Sequence, residues 1–159
     1  LYKNFTRVEL CMVLPPEWKP TLDRKENMWA PDLLLDIAYQ VVENKMGVRL
    51  GQYFVMNTPN GQLPYPEGTD ALGGIICLPE MFPLQILEKE IEHSYTRFLQ
   101  VVPFDKNGLS KIESMGPTDY ILYELHDSDN PKMVAPMKKF EPKGIDKIIR
   151  KNEDNLKAK

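Results

Sequence analysis

The sequence predicts an α+β domain, a mixed and largely antiparallel sheet packed with several helices. Three observations carry that expectation. Runs rich in apolar and β-branched residues at 5–14, 52–57, 71–78 and 94–102 have the length and composition of strands. Three of these runs stop at proline (Leu14-Pro15, Leu78-Pro79, Val102-Pro103), where a residue without an N–H donor trims the ladder. Other stretches repeat their apolar residues at helical spacing, most clearly after Pro31. At 159 residues, 42% hydrophobic and 27% charged, the chain fits one ordinary domain. A domain near that size buries roughly 70% of its unfolded surface and folds without staples.

In the first strand Thr6, Val8 and Leu10 share one face, with Arg7 and Glu9 on the other. Its second half is apolar on both faces, as in a strand that passes from an exposed rim into a sheet interior. Residues 17–30 read as an irregular loop holding Trp18 and Trp29. In the helix that follows, Pro31 suits the first turn and Asp32 the positive end of the dipole. Leu33, Leu34, Ile37, Ala38, Val41 and Val42 form its apolar stripe; Asp36, Gln40, Glu43 and Asn44 form its wet face. Gly47 is the expected stop.

The second strand runs into Thr58-Pro59-Asn60-Gly61, a tight-turn sequence, and residues 62–70 read as loop. The third strand is expected to be weakened or bulged at Gly73-Gly74. Residues 84–92 are ambiguous, with a short helix preferred. Two short helices, 107–115 and 117–126, are divided by Gly116-Pro117. Ile145, Ile148 and Ile149 fall at helical spacing near the end.

The net charge of −3 hides an asymmetry. Residues 138–159 carry eight Lys/Arg and four Asp/Glu, a net of +4, so the other 137 residues carry −7. An acidic body argues against nucleic acid as a ligand, because phosphate binding needs clustered cations. The layout expected is a folded domain over 1–137 and a polar, basic, partly helical extension over 138–159. The chain begins at Leu1 and enters a strand pattern almost at once, so part of the domain's amino end is expected to be missing. No apolar run approaches the roughly 20 residues of a membrane span. Cys11 and Cys77 both lie in strand-like runs and read as reduced, buried thiols of a cytoplasmic protein. A disulfide between adjacent strands is the alternative.

Few residues suit catalysis. His93 and His126 are the only histidines; Glu88, Glu90 and Glu92 come together only on a strand. Neither a His pair at i and i+4 nor a Cys/His cluster is present to hold a metal. A Cys77 nucleophile would sit in an apolar run, where burial raises a thiol's pKa. Phosphate-loop, dinucleotide and nucleophile-elbow patterns are absent. No catalytic, cofactor or metal residue is therefore assigned. The loops instead hold Trp18, Trp29, Tyr65, Glu67 and Asp70, aromatic and acidic groups of the kind that anchor protein interfaces. The alternative is that both tryptophans cap the sheet edge and are buried, which suits Trp18, beside a strand end, better than Trp29.

Five segments taken together resemble the suppressor-of-fused-like domain family: RVELCMVLPPEW (7–18), Trp29-Ala30-Pro31 with LLLDIAYQVV, TPNGQLPYP (58–66), GGIICLPEM (73–81) and FLQVVPF (98–104). The strand-Pro-Pro-acid-Trp element and the Pro-Asn-Gly turn are the most specific. The resemblance covers roughly residues 5–127 and implies an α+β sandwich that binds another protein. Animal members of the family sequester a transcription factor. Bacterial single-domain members resemble immunity proteins that neutralise a cognate polymorphic toxin. With one such domain read here, the resemblance implies the bacterial role, with a protein partner such as a basic toxin domain. A non-toxin regulatory adaptor is the alternative, and a small hydrolase using His93 or His126 a remote one. The resemblance brings no catalytic residues with it.

Overall fold

In the computed structural model, residues 5–15, 18, 28–56, 69–79, 88–91 and 94–126 are described. Five strands, β1 (Phe5–Cys11), β2 (Tyr53–Val55), β3 (Gly73–Cys77), β4 (Glu88–Ile91) and β5 (Ser94–Phe104), form one sheet. The helices are α1 (Trp29–Glu43), α2 (Lys106–Met115) and α3 (Pro117–Tyr120), the last widening into a π-turn over Ile121–Leu125. The fold is α+β.

The sheet is built around β5, in the order β1-β5-β3-β2. β1 runs parallel to β5, whereas β3 and β4 pair with β5 antiparallel and β2 pairs with β3 antiparallel. β1 occupies one edge of β5 over Tyr95–Gln100. The opposite edge is shared end to end, by β4 over Ser94–Arg97 and by β3 over Gln100–Phe104.

Strand alternation sends side chains to two cores. Phe54, Met56, Ile76, Leu99 and Val101 meet Trp29, Ala30, Leu33 and Ile37 of α1. On the other face Ile75, Cys77, Val102 and Phe104 meet Ile112 of α2, Tyr120 of α3 and Leu125. The sheet is thus the middle layer, and β3, buried on both faces, reads as a continuous apolar run for that reason.

Several expectations need correction. Residues 88–91 are strand, not helix: Lys89 pairs with Thr96 and Ile91 with Ser94, so β5 decides a segment that local periodicity left ambiguous. Residues 84–87 and 92 lie outside the described residues. β5 does not stop at Pro103 but runs through it to Phe104. Beyond Gln100 it no longer has β1 on its other side, and a one-sided ladder is where a sheet tolerates proline. β1 ends at Cys11, short of Pro15, because its pairing with β5 ends there.

Helix α1 begins at Trp29, two residues before Pro31, and its stop is not Gly47. Lys45 takes the left-handed conformation (φ 51°). The Lys45 N–H donates to the Val42 carbonyl (3.2 Å) and the Met46 N–H to that of Val41 (3.0 Å). Those two bonds are the Schellman motif, with lysine at the position usually held by glycine. The division at Gly116-Pro117 is as expected: Gly116 has φ 89°, a value L side chains rarely adopt, and it separates α2 from α3.

Candidate functional site

Trp29 opens α1 inside the core and is 2% exposed, while Trp18 is half-buried, its backbone N–H donating to the Pro15 carbonyl (2.9 Å). The burial anticipated more for Trp18 therefore falls on Trp29. The reason is that Trp29 belongs to the first turn of a helix laid on the sheet, not to the preceding loop. Among the described residues neither indole N–H finds an acceptor. Asp70 is exposed, next to a buried Thr69 whose Oγ1 accepts from the Ala71 N–H (3.1 Å). Tyr65 and Glu67 lie outside the described residues, so no geometry joins them to the others.

The surface feature that sequence reasoning missed lies along α1. The stripe expected from Leu33 to Val42 is only partly covered: Leu33 and Ile37 are buried, Leu34 and Val41 half-buried, and Ala38 and Val42 exposed. Leu35, Tyr39 and Val42, spaced i, i+4 and i+7, form a second apolar line, 54%, 63% and 73% exposed, and Met46, just past the helix end, is 37% exposed. The hint in the sequence was a helix with apolar residues nearly all round, which normally marks a buried element.

Beside this line a groove of about 750 Å³ separates α1 from β1. Val8 and Leu10 of β1, Val41 and Val42 of α1, and Leu99 of β5 line it, and the 46–50 segment closes one side. Arg7, Arg49, Arg97 and Glu9 are the charged groups around it.

The cysteines lie on either side of one residue: Gln100 of β5 pairs with Cys11 of β1 and with Cys77 of β3. Two strand spacings, about 10 Å, separate them. A disulfide requires Cα atoms roughly 4.4–6.8 Å apart, so the disulfide alternative is excluded by topology. Both are free thiols. The Cys11 Sγ–H donates to the Leu99 carbonyl (3.5 Å), and burial pushes this thiol above its ordinary value, the opposite of a nucleophile's activation. His126 is exposed just past the π-turn, and His93 lies outside the described residues. Among the described residues no three of His, Cys, Asp and Glu gather as a metal-ligand set, and no helix is long and apolar enough to cross a membrane.

The geometry thus offers surface for docking. The sequence profile of the family described as Suppressor of fused protein (SUFU) matches residues 2–135. The chain belongs to the SUFU family. That family is one of protein-interaction domains, and a protein-binding role follows for this member. A comparison with curated proteins finds no match. The SUFU span contains every strand and helix described above, including the exposed line on α1 and the groove beside it.

Proposed function

We propose that this SUFU-family domain is a bacterial immunity protein, or antitoxin, that binds a cognate polymorphic toxin in the cytoplasm and blocks it sterically. The observation that carries the binding role is membership of a protein-interaction family in a chain that leaves a line of large apolar side chains exposed along α1. An apolar line of that kind is a surface that a partner covers. The toxin as partner is favoured by the resemblance to bacterial single-domain members. The acidic body, −7 over residues 1–137, suits a basic toxin domain and would speed encounter by electrostatic steering. Trp18, Tyr65, Glu67 and Asp70 are proposed as contacts. Trp29 takes part from beneath, as the core residue seating the start of α1.

Co-expression with the product of the adjacent gene tests this reading. The expected outcome is a salt-sensitive complex and rescue of cells from that product's toxicity. A captured partner with no toxic activity would favour the regulatory adaptor instead. Turnover of a substrate that is lost in His126→Ala or His93→Ala would favour the hydrolase.

A further inference from the structure

Helix α1 holds carboxylates and no cation: Asp32, Asp36 and Glu43 stand among its residues without a Lys, Arg or His. Asp32 and Glu43 are exposed and Asp36 is half-buried. At about 100° per residue, all three project within an arc of roughly 40° on the helix surface. The groove beside α1 is lined by Leu34, Ala38, Val41 and Val42 of the helix, and by none of these carboxylates. The acidic row therefore borders the exposed Leu35, Tyr39 and Val42 line on the side away from the groove. Its members repel one another or the helix end. Asp36 stands one turn beyond Asp32, an unfavourable like-charge spacing. Burial first and then the Asp36 charge raise the Asp32 carboxyl above its ordinary value. Glu43 lies in the last turn, where the dipole favours cations and the helix supplies none.

We propose that this face of α1 docks a basic amphipathic helix of the protein partner. The partner's apolar residues lie on Leu35, Tyr39 and Val42, and its Lys or Arg side chains face Asp32, Asp36 and Glu43. This rests on the protein-binding reading above and names the chemistry of the contact. The steps of four and then three residues from Leu35 to Tyr39 to Val42 are those of a two-helix seam. Asp36 and Glu43 each follow a seam residue by one, the flanking position whose charge selects the partner helix. The backbone of α1 is bonded within the helix, so the contact is made by side chains, as between two helices. Charge decides against a second copy of this chain, because α1 on α1 brings two acidic rows together with no cation in either helix. A cationic partner instead relieves the repulsion that the free helix carries.

The test uses the whole chain and three fluorescein-labelled peptides: a Leu/Lys amphipathic helix, its Leu/Glu counterpart, and a scrambled Leu/Lys sequence without an apolar face. By anisotropy the Leu/Lys helix is expected to bind, and the other two to bind roughly tenfold more weakly or worse. Val42→Ser, at a position 73% exposed, is expected to weaken that binding at unchanged melting temperature. Asp32→Asn with Glu43→Gln is expected to weaken it roughly tenfold, again with little change in melting temperature, since both side chains are exposed. Glu113→Gln with Asp119→Asn removes the same charge from exposed sites on α2 and α3, and should leave binding within about twofold. Equal loss in the two double variants overturns the proposal, since overall charge would then explain the binding. So does equal binding of the scrambled or the Leu/Glu peptide. A dimer of the chain that Val42→Ser dissociates, seen by sedimentation, also overturns it and makes the face a self-contact. Partner capture and toxin neutralisation undiminished in both Val42→Ser and the Asp32→Asn, Glu43→Gln variant would overturn it while leaving the proposed function standing.

Discussion

Ile37 packs onto the sheet where Gly74 has no side chain: a Cβ built on Gly74 would lie 3.2 Å from Ile37 Cδ1 and 2.5 Å from Val101 Cγ1. The glycine is in a regular ladder, opposite Phe54 of β2 and Pro103 of β5. Its role is close approach of helix to sheet, and not the bulge its sequence suggested. Gly74→Ala should cost about 1–3 kcal/mol, the usual range for overpacking a tight core. Val101→Ala in the same chain should recover part of this, so that the double change costs less than the sum of the single ones. Urea midpoints of the four proteins check it; strict additivity would mean that the two sites are not in contact.

Lys45 ends α1 in the left-handed conformation, where a Cβ costs roughly 1–2 kcal/mol and glycine costs nothing. Lys45→Gly should therefore stabilise the domain by about 1 kcal/mol after the added unfolded-state entropy is set against the relief. Gly47, with open space around its Cα and no positive φ, should accept alanine with little change. Thermal denaturation of the two variants distinguishes the true stop from the one the glycine suggested. An unchanged or lowered midpoint for Lys45→Gly would count against the cap.

These two positions show what the sequence could and could not convey. Periodicity placed β1 and α1 because Val8, Leu10, Leu33 and Ile37 repeat at the spacing of the face they turn to the core, and short apolar runs placed β2 and β3. It failed at residues 88–91, where pairing with β5 outweighs a local pattern of four residues. It also failed at Pro103, whose tolerance depends on how far β1 extends along the other side of β5. For the site, composition singled out Trp18, Trp29, Tyr65, Glu67 and Asp70 as interface material, but it could not tell that Trp29 is buried while Tyr39 and Val42 are open. Which part of this broad apolar surface faces the sheet depends on contacts far along the chain, such as that of Ile37 at Gly74.

Asp105 caps α2, its Oδ1 accepting from the Gly108 N–H at 2.8 Å while its backbone is extended. One of the four otherwise unpaired N–H groups of the helix start is satisfied this way. Asp105→Ala should cost about 1 kcal/mol and Asp105→Ser much less, because a serine hydroxyl accepts the same bond. The Lys111–Glu124 ion pair, 2.6 Å long but with both side chains partly exposed, should matter less. Lys111→Ala is expected to cost under about 1 kcal/mol and to lose its effect at high salt. A larger loss at Lys111 than at Asp105 would reverse this ranking of cap over ion pair.

Alkaline pH should weaken the fold through a half-buried thiol and a buried phenol on the same face of the sheet. Burial raises the Cys11 thiol above its ordinary 9.0. Burial first, and then the negative charges of Asp105 and Glu124 and the Cys77 thiol, raise the Tyr120 phenol above its ordinary 10.0. Each group keeps its proton in the folded chain at a pH where the unfolded chain has released it. The folded state then binds more protons, so stability is fully present below the unfolded values and is lost as pH rises through the folded ones. Urea midpoints should stay level with respect to these groups up to about pH 9 and fall above it. Tyr120→Phe removes a phenolic oxygen while keeping the ring against Ile112 and Leu125, and Cys11→Ala removes the thiol. Each variant should flatten part of the alkaline fall, Cys11→Ala nearer pH 9 and Tyr120→Phe higher. An alkaline limb unchanged in the double variant would place the loss on other residues.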